Sequence, residues 1–355
     1  MAPIDCLVIG GGQFGLHTAR RLQQSGLDYL LLERDAIGDV WRNRLEGMRL
    51  FTSRQFCALP ELAFPGDPQG FPTTAEMANY LARYAEHFEL RIREHSEVMR
   101  LDRLATGGFQ ATLADGTALQ ASSVVNATGA NQMPQVPAIS AQLAGEVQQL
   151  DACIASTDAI ADGRTVAVIG DGASGRQIAD RLAGRCSLLL ATGSPRGLPP
   201  NRLLGRDIFW WLDRLRILYA DKNSLVARIL KKRNPVPCGE YNNRRLQAKG
   251  VEIVGRAQEC SGRRIRFDST GWRDVDTVIW ATGYRDRTDW MKLPHCVDDR
   301  GFIEEYGETP EPGLFLVGSK WLSCRASELV MGVGVDVERV MVPLQTFLSD
   351  GKETP

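Results

Sequence analysis

The sequence predicts an α/β fold made of two similar units, each a short buried strand followed by a glycine-rich turn and a helix. The segment "LVIGGGQFG" occupies residues 7–15, and "VAVIGDGASG" occupies residues 166–175, about 160 residues further along. Both stand in strand–helix–strand order, which is typical of parallel sheets covered by helices. Each unit also has a later strand that ends in "ATG", at residues 127–129 and 281–283. We therefore expect two doubly wound parallel sheets in one chain.

The first unit begins at the start of the sequence. A short apolar run that ends at a glycine is typical of a buried parallel strand. A helix, a hairpin around "ADGT" and a strand ending in "ATG" follow further along. The predicted elements are strand Ile4–Ile9, helix Leu16–Ser25, strand Tyr29–Leu32, helix Thr73–Phe88, hairpin strands Phe109–Leu113 and Ala118–Leu119, and strand Ser123–Asn126.

The second unit repeats this order and is followed by a return to the first. Its predicted elements, with those of the C-terminal region, are strand Thr165–Ile169, helix Arg176–Ala183, strands Cys186–Leu190, Val275–Trp280 and Leu314–Val317, and helix Val330–Phe347. We expect residues 1–155 and 281–355 to form one discontinuous domain. Residues 156–280 would be a second domain inserted into it, with a helical insertion around 200–245.

Composition excludes several classes of protein. The formal net charge of -1 gives no field that would recruit nucleic acid. We find no apolar run long enough for a membrane span and no signal peptide, so we expect a cytoplasmic protein. The eight cysteines form no CxxC pair and the four histidines show no metal-ligand spacing, so we expect neither a disulfide framework nor a metal site.

The first glycine-rich turn has the spacing of a dinucleotide site. Gly10 permits a sharp turn, Gly12 allows the backbone to approach a pyrophosphate, and Gly15 lets the helix pack on the strand. The helix N-terminus then offers N–H donors and a positive dipole end to phosphates. Glu33 ends the second strand, where a carboxylate can accept hydrogen bonds from ribose hydroxyls. A structural turn with a solvated glutamate is the alternative.

The second turn has the same glycines but lacks the acid. Gly170, Gly172 and Gly175 repeat the spacing, with Ser174 before the last, but Gly193 stands where the acid is expected. A carboxylate there would repel a 2′-phosphate, whereas the nearby Arg196 can pair with one. An ordinary surface arginine is the alternative. Two Rossmann-like sites thus indicate FAD in the first domain and NADPH in the second, with NADH as a further possibility.

Several ordered segments carry a resemblance to a known family. They are "GGGQFG" (10–15), "IGDVWR" (37–42), "RLFTSRQFCALPELAFP" (49–65), "NATGANQMPQVP" (126–137), "GDGASG" (170–175), "VIWATGYR" (278–285) and "PGLFLVG" (312–318). In this order the chain resembles the class B flavin-dependent monooxygenases, specifically the small bacterial proteins similar to flavin-containing monooxygenases.

The resemblance implies an activity and a set of cofactor-binding residues. NADPH would reduce FAD, and reduced FAD would react with O₂ to form a C4a-hydroperoxide that oxygenates a small sulfide, amine or ketone. The expected cofactor-binding residues are Gly10, Gly12, Gln13, Gly15, Glu33, Arg34, Trp41, Arg42, Thr52, Val98, Thr128, Gly129, Gly170, Gly172, Ser174, Gly175, Arg196, Thr282, Gly283 and Gly318.

Two positions depart from the family pattern and are the candidate catalytic residues. In "LAGEVQQLD" (143–151), Gln149 stands where the family has a histidine, and Ser53 stands where it often has an asparagine. Gln149 cannot titrate near neutral pH as histidine can. If both positions act on the oxygen-carrying flavin, we expect part of the electron flow to end as hydrogen peroxide.

The aromatic stretch Gly205–Ala220 has three interpretations. It can pack on its own domain, line a substrate channel or homodimer interface, or contact a membrane surface together with Lys231, Lys232 and Arg233. The function likewise has alternatives to monooxygenation. They are an NAD(P)H-dependent flavin oxidoreductase or oxidase without oxygen insertion, and a redox-sensing flavoprotein. The expected partners are a small-molecule substrate and O₂.

Overall fold

The structure is a computed structural model that describes residues 4–154 and 156–353, with side chains to residue 351. Residue 155, at the expected domain boundary, lies outside the described residues, as do residues 1–3 and 354–355. The strands are β1 (Ile4–Ile9), β2 (Tyr29–Leu32), β3 (Ile92–Arg93), β4 (Val98–Arg103), β5 (Phe109–Leu113), β6 (Ala118–Asn126), β7 (Met133–Pro134), β8 (Gln148–Asp151), β9 (Thr165–Ile169), β10 (Ser187–Ala191), β11 (Arg202–Leu203), β12 (Arg206–Asp207), β13 (Val251–Val254), β14 (Ala257–Ser261), β15 (Arg264–Phe267), β16 (Gly271–Asp274), β17 (Thr277–Trp280), β18 (Tyr284–Arg285), β19 (Val297–Asp298), β20 (Gly301–Phe302) and β21 (Leu314–Leu316).

The helices cover the sheets and build the insertion. The α-helices are α1 (Gln13–Gln24), α2 (Asp39–Arg42), α3 (Thr74–His87), α4 (Ala173–Leu182), α5 (Ile208–Arg214), α6 (Leu225–Arg233), α7 (Asn243–Ala248) and α8 (Val333–Glu353). Short 3₁₀ helices, among them Ile217–Tyr219 and Arg325–Glu328, join some of them. In the described part of the chain, every helix is too short or too polar to cross a bilayer.

The first sheet contains the predicted strands and is mixed, with a parallel part around β1 and an antiparallel part formed by β4, β5 and β6. Its order is β3-β2-β1-β6-β5-β4, and β21 pairs with β6. Strand β1 runs parallel to both β2 and β6. Strand β6 is longer than predicted, because Ala118–Gln120 pairs with β5 while Ala121–Asn126 pairs with β1. The hairpin strand and the strand ending in "ATG" are therefore one continuous strand.

The second sheet is wholly parallel, with the order β13-β10-β9-β17-β8. Its outermost strand corrects the expected domain boundary. Strand β8 pairs with β17, with Gln149 opposite Val278, although we expected residues up to 155 to belong to the first domain. Judged by sheet pairing, the second unit begins before Gln148. The rest of the proposed domain division stays a prediction.

Helices α1 and α4 begin three residues earlier than predicted, directly after Gly12 and Gly172. Neither of these glycines has a side chain to cap the helix. The first backbone N–H groups of both helices consequently remain available to a ligand. Helix α3, by contrast, closes its N-terminus with a capping box between Thr73 and Glu76.

The two "ATG" segments lead into linkers that are hydrogen-bonded to each other. After Gly129, β7 pairs antiparallel with β18, which follows Gly283. The Gln135 N–H donates to the Gly283 carbonyl at 2.9 Å, and the Arg287 N–H donates to Gln132 Oε1 at 2.9 Å. This two-stranded ribbon fixes how the chain passes between the two sheets.

The aromatic stretch packs across the two units, whereas we expected packing on its own domain as the first alternative. Phe209 is buried and stacks on Phe51, with ring centroids 5.8 Å apart. Its cluster includes Leu218, Cys324 and Leu329, of which the last two belong to the C-terminal region. The predicted helix is also shorter, since Gly205 forms a hairpin turn and α5 covers Ile208–Arg214 only.

A buried carboxylate fastens this contact. Asp207 accepts hydrogen bonds from the N–H of Phe209 at 2.9 Å, which caps α5, and from the N–H of Ser53 at 2.8 Å. Asp207 and Ser53 are both buried. The insertion in the second unit is thereby held to the segment that follows Arg49 in the first.

His17 on α1 makes the stability of the fold depend on pH. Its imidazole is buried, with Nδ1 3.2 Å from the Tyr84 hydroxyl, and burial lowers the His17 pKa to about 4. The native state therefore keeps His17 neutral at pH values where the unfolded chain, with a pKa near 6.5, binds a proton. This contribution is fully present above about pH 6.5 and is lost as the pH falls toward 4.

We predict that wild type loses about 2.4 kcal/mol more unfolding free energy than His17→Gln between pH 7 and pH 4.5. Urea unfolding of the FAD-loaded protein at both pH values measures the difference. His87→Gln, at an exposed histidine on α3, should behave as wild type. Equal pH dependence in His17→Gln and wild type would contradict the assignment.

Candidate functional site: a cavity shared by two glycine-rich turns

A cavity of about 940 Å³ lies at the carboxyl ends of the two parallel sheets. Residues from both glycine-rich turns and from both "ATG" segments line it. Ligands of open α/β sheets bind at such carboxyl ends. The two predicted nucleotide sites therefore open into one space.

The first turn has the geometry that a pyrophosphate requires. Gly10 has φ +108, and a Cβ there would lie 2.6 Å from the Ala127 carbonyl oxygen. A Cβ on Gly15 would overlap the Gly10 carbonyl, so this glycine serves helix–strand packing. At Gly12, in contrast, a Cβ would meet no atom within 4 Å. Gly12 thus borders free space in front of the α1 N-terminus, as a phosphate cradle needs.

Glu33 lines the cavity and also shapes the turn. Its Oε2 accepts from the Gly11 N–H at 2.6 Å, and its Oε1 accepts from the Asp35 N–H at 3.0 Å. Carboxylate oxygens carry further lone pairs for ribose hydroxyls. Trp41 lines the same region, and its buried Nε1–H has no hydrogen-bond partner among the described residues. An unsatisfied donor of this kind fits a polar ligand such as FAD.

The second turn repeats this geometry. Gly170 has φ +112, and a Cβ there would overlap the Ala281 carbonyl oxygen. A Cβ on Gly175 would overlap the Gly170 carbonyl, while Gly172 again borders free space. The N-terminus of α4 therefore faces the cavity as that of α1 does, which suits a second dinucleotide.

Two arginines line the cavity near the second turn. Arg196 lines the cavity, with Nε 3.5 Å from Asp171 Oδ1. Arg256, which the sequence reasoning missed, also lines it, and its Nη2 is 4.0 Å from the position of a Cβ on Gly193. The parallel pairing of Ala191 with Val254 explains this, because Gly193 and Arg256 each lie two residues beyond that pair. Within the described residues, Arg256 has no ion-pair partner.

Most of the predicted cofactor-binding residues line the cavity. They are Gly10, Gly12, Gln13, Glu33, Arg34, Trp41, Thr52, Val98, Thr128, Gly129, Gly170, Gly172, Ser174, Gly175, Arg196, Thr282, Gly283 and Gly318. Gly15 lies behind the turn, for the packing reason above. Arg42 also lies off the cavity wall, where it pairs with Asp39.

Neither of the two candidate catalytic residues is among the described residues that line the cavity. Gln149 lies on edge strand β8, where its Oε1 accepts from Trp280 Nε1 at 3.0 Å and its Nε2 donates to the Ser140 carbonyl. Ser53 is fully buried behind Thr52, and its hydroxyl accepts from Gln55 Nε2 at 3.1 Å. The expected effect of these two side chains on peroxide release stays a prediction, and in this structure it would have to act through neighbouring residues.

Other polar side chains do reach the cavity, although no motif pointed to them. Arg44 donates to the Tyr284 hydroxyl and stacks on the Tyr284 ring, 5.3 Å from its centroid. Burial raises the pKa of Tyr284. An ion pair between Arg325 and Glu328 lies on the opposite side, near the aromatic cluster. All eight cysteines are free thiols, and none is among the described residues that line the cavity.

Comparison with known proteins agrees with this geometry. The family model of the pyridine nucleotide-disulphide oxidoreductases matches residues 7–188. A CzcO-like uncharacterized oxidoreductase of Geobacillus kaustophilus is 35% identical over 337 residues, covering 94% of this chain and 96% of that protein. Indole-3-pyruvate monooxygenase YUCCA6 of Arabidopsis thaliana is 27% identical over 381 residues, covering 94% and 88%.

Solved structures share the whole fold. A flavin-containing monooxygenase from Stenotrophomonas maltophilia superposes with a TM-score of 0.81 at 25% identity, covering 98% of this chain and 99% of that one. The OTEMO complex with FAD and NADP has a TM-score of 0.67 at 17% identity, covering 99% and 87%.

Fold and site together define an FAD- and NAD(P)H-dependent oxidoreductase with the fold of flavin-containing monooxygenases. The chain belongs to the pyridine nucleotide-disulphide oxidoreductase family. The predicted fold class, cofactors and enzyme class are confirmed.

We predict that Gly12→Val folds but purifies without FAD. Gly12 has extended backbone angles that valine adopts, and free space surrounds its missing Cβ, so only the bound pyrophosphate would be displaced. Visible absorbance per protein measures occupancy, and circular dichroism checks the fold. Gly145→Val, at a glycine off the cavity wall with equally free space, is the control. Full flavin occupancy in Gly12→Val would contradict the assignment of the first turn as the pyrophosphate-binding site of FAD.

The corresponding change in the second turn should separate the two cofactors. Gly172→Val should keep FAD but raise the NADPH concentration needed for half-maximal flavin reduction by at least roughly tenfold, since the same cradle is blocked for NADPH. Anaerobic reduction followed by flavin absorbance gives this value. Unchanged reduction by NADPH, or loss of FAD itself, would show that the two turns are wrongly assigned.

Proposed function

We propose that the protein is an NADPH-dependent FAD monooxygenase that oxygenates a small sulfide, amine or ketone. When bound, FAD supplies hydride acceptance from NADPH and, once reduced, transfer of one oxygen atom from O₂ while the other leaves as water. The resemblance to the class B flavin-dependent monooxygenases implies this route of oxygen transfer, and the route is part of the proposal. The similarity to the Stenotrophomonas flavin-containing monooxygenase and to the Arabidopsis indole-3-pyruvate monooxygenase supports it.

The observation that carries the proposal is the single cavity that both glycine-rich turns enter. Two nucleotides held by these turns would approach each other from opposite sides of one space, as direct hydride transfer requires. The chain's own contribution is positioning. The N-termini of α1 and α4 bind the phosphates, and Glu33 binds ribose on the first side.

The cavity wall also supports a reaction shielded from water. Phe51, Leu50, Leu329 and Val330 form an apolar part of the wall, beneath the cluster in which Phe209 packs. An apolar wall excludes water, which limits loss of a reactive oxygen species as peroxide. Arg325 and Glu328 supply polar contacts beside this wall for a substrate carrying a polar group.

Two alternative functions use the same cofactors. A flavin oxidoreductase or oxidase would pass electrons on without oxygen insertion, and a redox sensor would bind both nucleotides and turn over slowly. The lack of a cysteine among the described cavity-lining residues disfavours a thiol acceptor at the flavin.

A cytoplasmic location and a homodimer are further parts of the proposed monooxygenase function.

The test follows NADPH oxidation, hydrogen peroxide and oxygenated product together, with isotopically labelled O₂ and a panel of sulfides, amines and ketones. The proposal expects one labelled oxygen atom in the product and less peroxide per NADPH when a substrate is present. Peroxide equal to NADPH consumed with every substrate class would support the oxidase instead. Slow NADPH consumption throughout would support the sensor.

We further propose that Arg256 and Arg196 together read the NADPH 2′-phosphate. Arg256 supplies a guanidinium without a carboxylate partner in the described chain, beside Gly193. Arg196 is already drawn toward Asp171. The charge of Asp171 is shared with buried Arg176, which lies 3.2 Å from its Oδ2. Arg256 is thus the freer of the two cations for a new phosphate contact.

We predict that Arg256→Ala weakens NADPH binding roughly ten- to hundredfold and NADH binding much less, because a charge-assisted contact is worth about 1.5–3 kcal/mol. Arg196→Ala should do the same to a smaller extent. Steady-state kinetics with both cofactors gives the ratio, and Arg244→Ala, at an exposed arginine on α7, is the control. Equal loss with NADPH and NADH would contradict the assignment.

A further inference from the structure

The insertion exposes an unusual number of large apolar side chains. We call Arg202–Arg233, which spans the β11–β12 hairpin, α5 and α6, the insertion face. Six of the twelve exposed large hydrophobic residues in the described chain lie in it. They are Leu203, Leu204, Leu215, Leu225, Val226 and Ile229, with Leu204 82% and Leu225 68% exposed.

Helix α6 presents these side chains as one face. At about 100° per residue, Leu225, Ile229 and Val226 fall within an arc of about 100°. Ala227, the buried residue of α6, lies on the opposite side. The apolar face of α6 therefore points away from the protein, and nothing in the described chain covers it.

The same segment carries many exposed cations that form no ion pair, although some of them stack on aromatic rings. Its exposed basic residues have no carboxylate partner within the described chain, whereas many arginines elsewhere are ion-paired. One fully exposed acid, Asp221, lies among them. The whole chain has a net charge of -1, so positive charge is concentrated here. These cations are Arg202, Arg206, Arg214, Arg216, Arg228, Lys231, Lys232 and Arg233.

We propose that the insertion face binds reversibly to an anionic lipid bilayer, with α6 lying in the headgroup region. An amphipathic helix with leucine and isoleucine on one face and lysine and arginine beside them has the chemistry of an interfacial helix. Clusters of four to eight basic residues bind anionic lipids. Apolar burial and charge attraction thus act on the same surface.

The charge and the shape of the insertion face favour a bilayer over other binding partners. A second copy would bring an equally positive face and be repelled. An acidic protein would need grooves for apolar side chains that protrude from separate elements, with Leu204 at the turn of a hairpin. A fluid bilayer accepts such protrusions without a matching shape. This inference does not depend on the proposed oxygenation.

The insertion face is close to the cavity. The chain leaves α6 directly into Asn234–Pro237, which lines the cavity. Lys231 at the end of α6 stacks on Trp321, 4.8 Å from the ring centroid, near the segment that carries Arg325. Docking through this face would therefore bring one wall of the cavity near the lipid surface.

Vesicle flotation of the full-length, FAD-loaded protein tests the proposal. Vesicles of equal parts phosphatidylcholine and phosphatidylglycerol should bind at least roughly ten times more protein than phosphatidylcholine alone. Binding should fall sharply in 1 M salt, where the screening length is about 3 Å. No flotation with anionic vesicles, or equal flotation with neutral ones, would overturn the proposal.

Double substitutions separate the apolar contribution to lipid binding from the electrostatic one. Leu225→Gln with Ile229→Gln should remove most binding, as should Arg228→Glu with Lys232→Glu, while NADPH oxidation without vesicles stays unchanged. Val342→Gln on α8 and Arg244→Glu with Arg245→Glu on α7 alter equally exposed residues elsewhere and should bind as wild type. Equal loss in these controls would overturn the proposal. Light scattering that shows a wild-type dimer dissociated by Leu225→Gln with Ile229→Gln would instead make this face a subunit interface.

Discussion

Both nucleotide sites depend on a close approach between two backbone segments. In the first unit Gly10 packs on the carbonyl of Ala127, and in the second Gly170 packs on the carbonyl of Ala281. A side chain at either glycine would force strand and "ATG" segment apart, and both glycines have a positive φ that favours glycine. This contact directs each following helix N-terminus toward the strand ends, where the cavity lies. The paired sequence motifs are therefore a packing requirement as well as a ligand requirement.

The contact of each glycine with its "ATG" segment also determines where the two units meet. Each "ATG" segment continues into a linker, and the linkers pair as β7 and β18. Two further connections join the units, one between Arg44 and Tyr284 and the other between Asp207 and Ser53. Since these contacts join the units around the space between the glycine-rich turns, they help fix the separation of the two nucleotides. The insertion thus contributes to the site although it supplies no glycine-rich turn.

The sequence was sufficient for features that a local pattern encodes. Strands β1 and β9, both glycine-rich turns and the acid at Glu33 follow from apolar runs and glycine spacing, and the structure has them all. Features set by pairing between distant strands were not predictable. Arg256 reaches Gly193 because β13 lies beside β10, and Gln149 lies off the cavity wall because β8 joins the edge of the second sheet. The buried position of Ser53 was not predictable for a related reason, since its partner Asp207 comes from the other unit.

We propose above all that the two turns hold FAD and NADPH against each other in one cavity. Anaerobic rapid mixing of the FAD-loaded protein with NADPH tests it most directly, with each of the two C4 hydrogens of the nicotinamide replaced in turn by deuterium. We predict complete loss of the oxidised-flavin absorbance without any mediator, and we predict that deuterium slows this reduction at one of the two positions only. Reduction that needs an added electron carrier, or that is equally fast with both deuterated forms and unlabelled NADPH, would contradict direct transfer across this cavity.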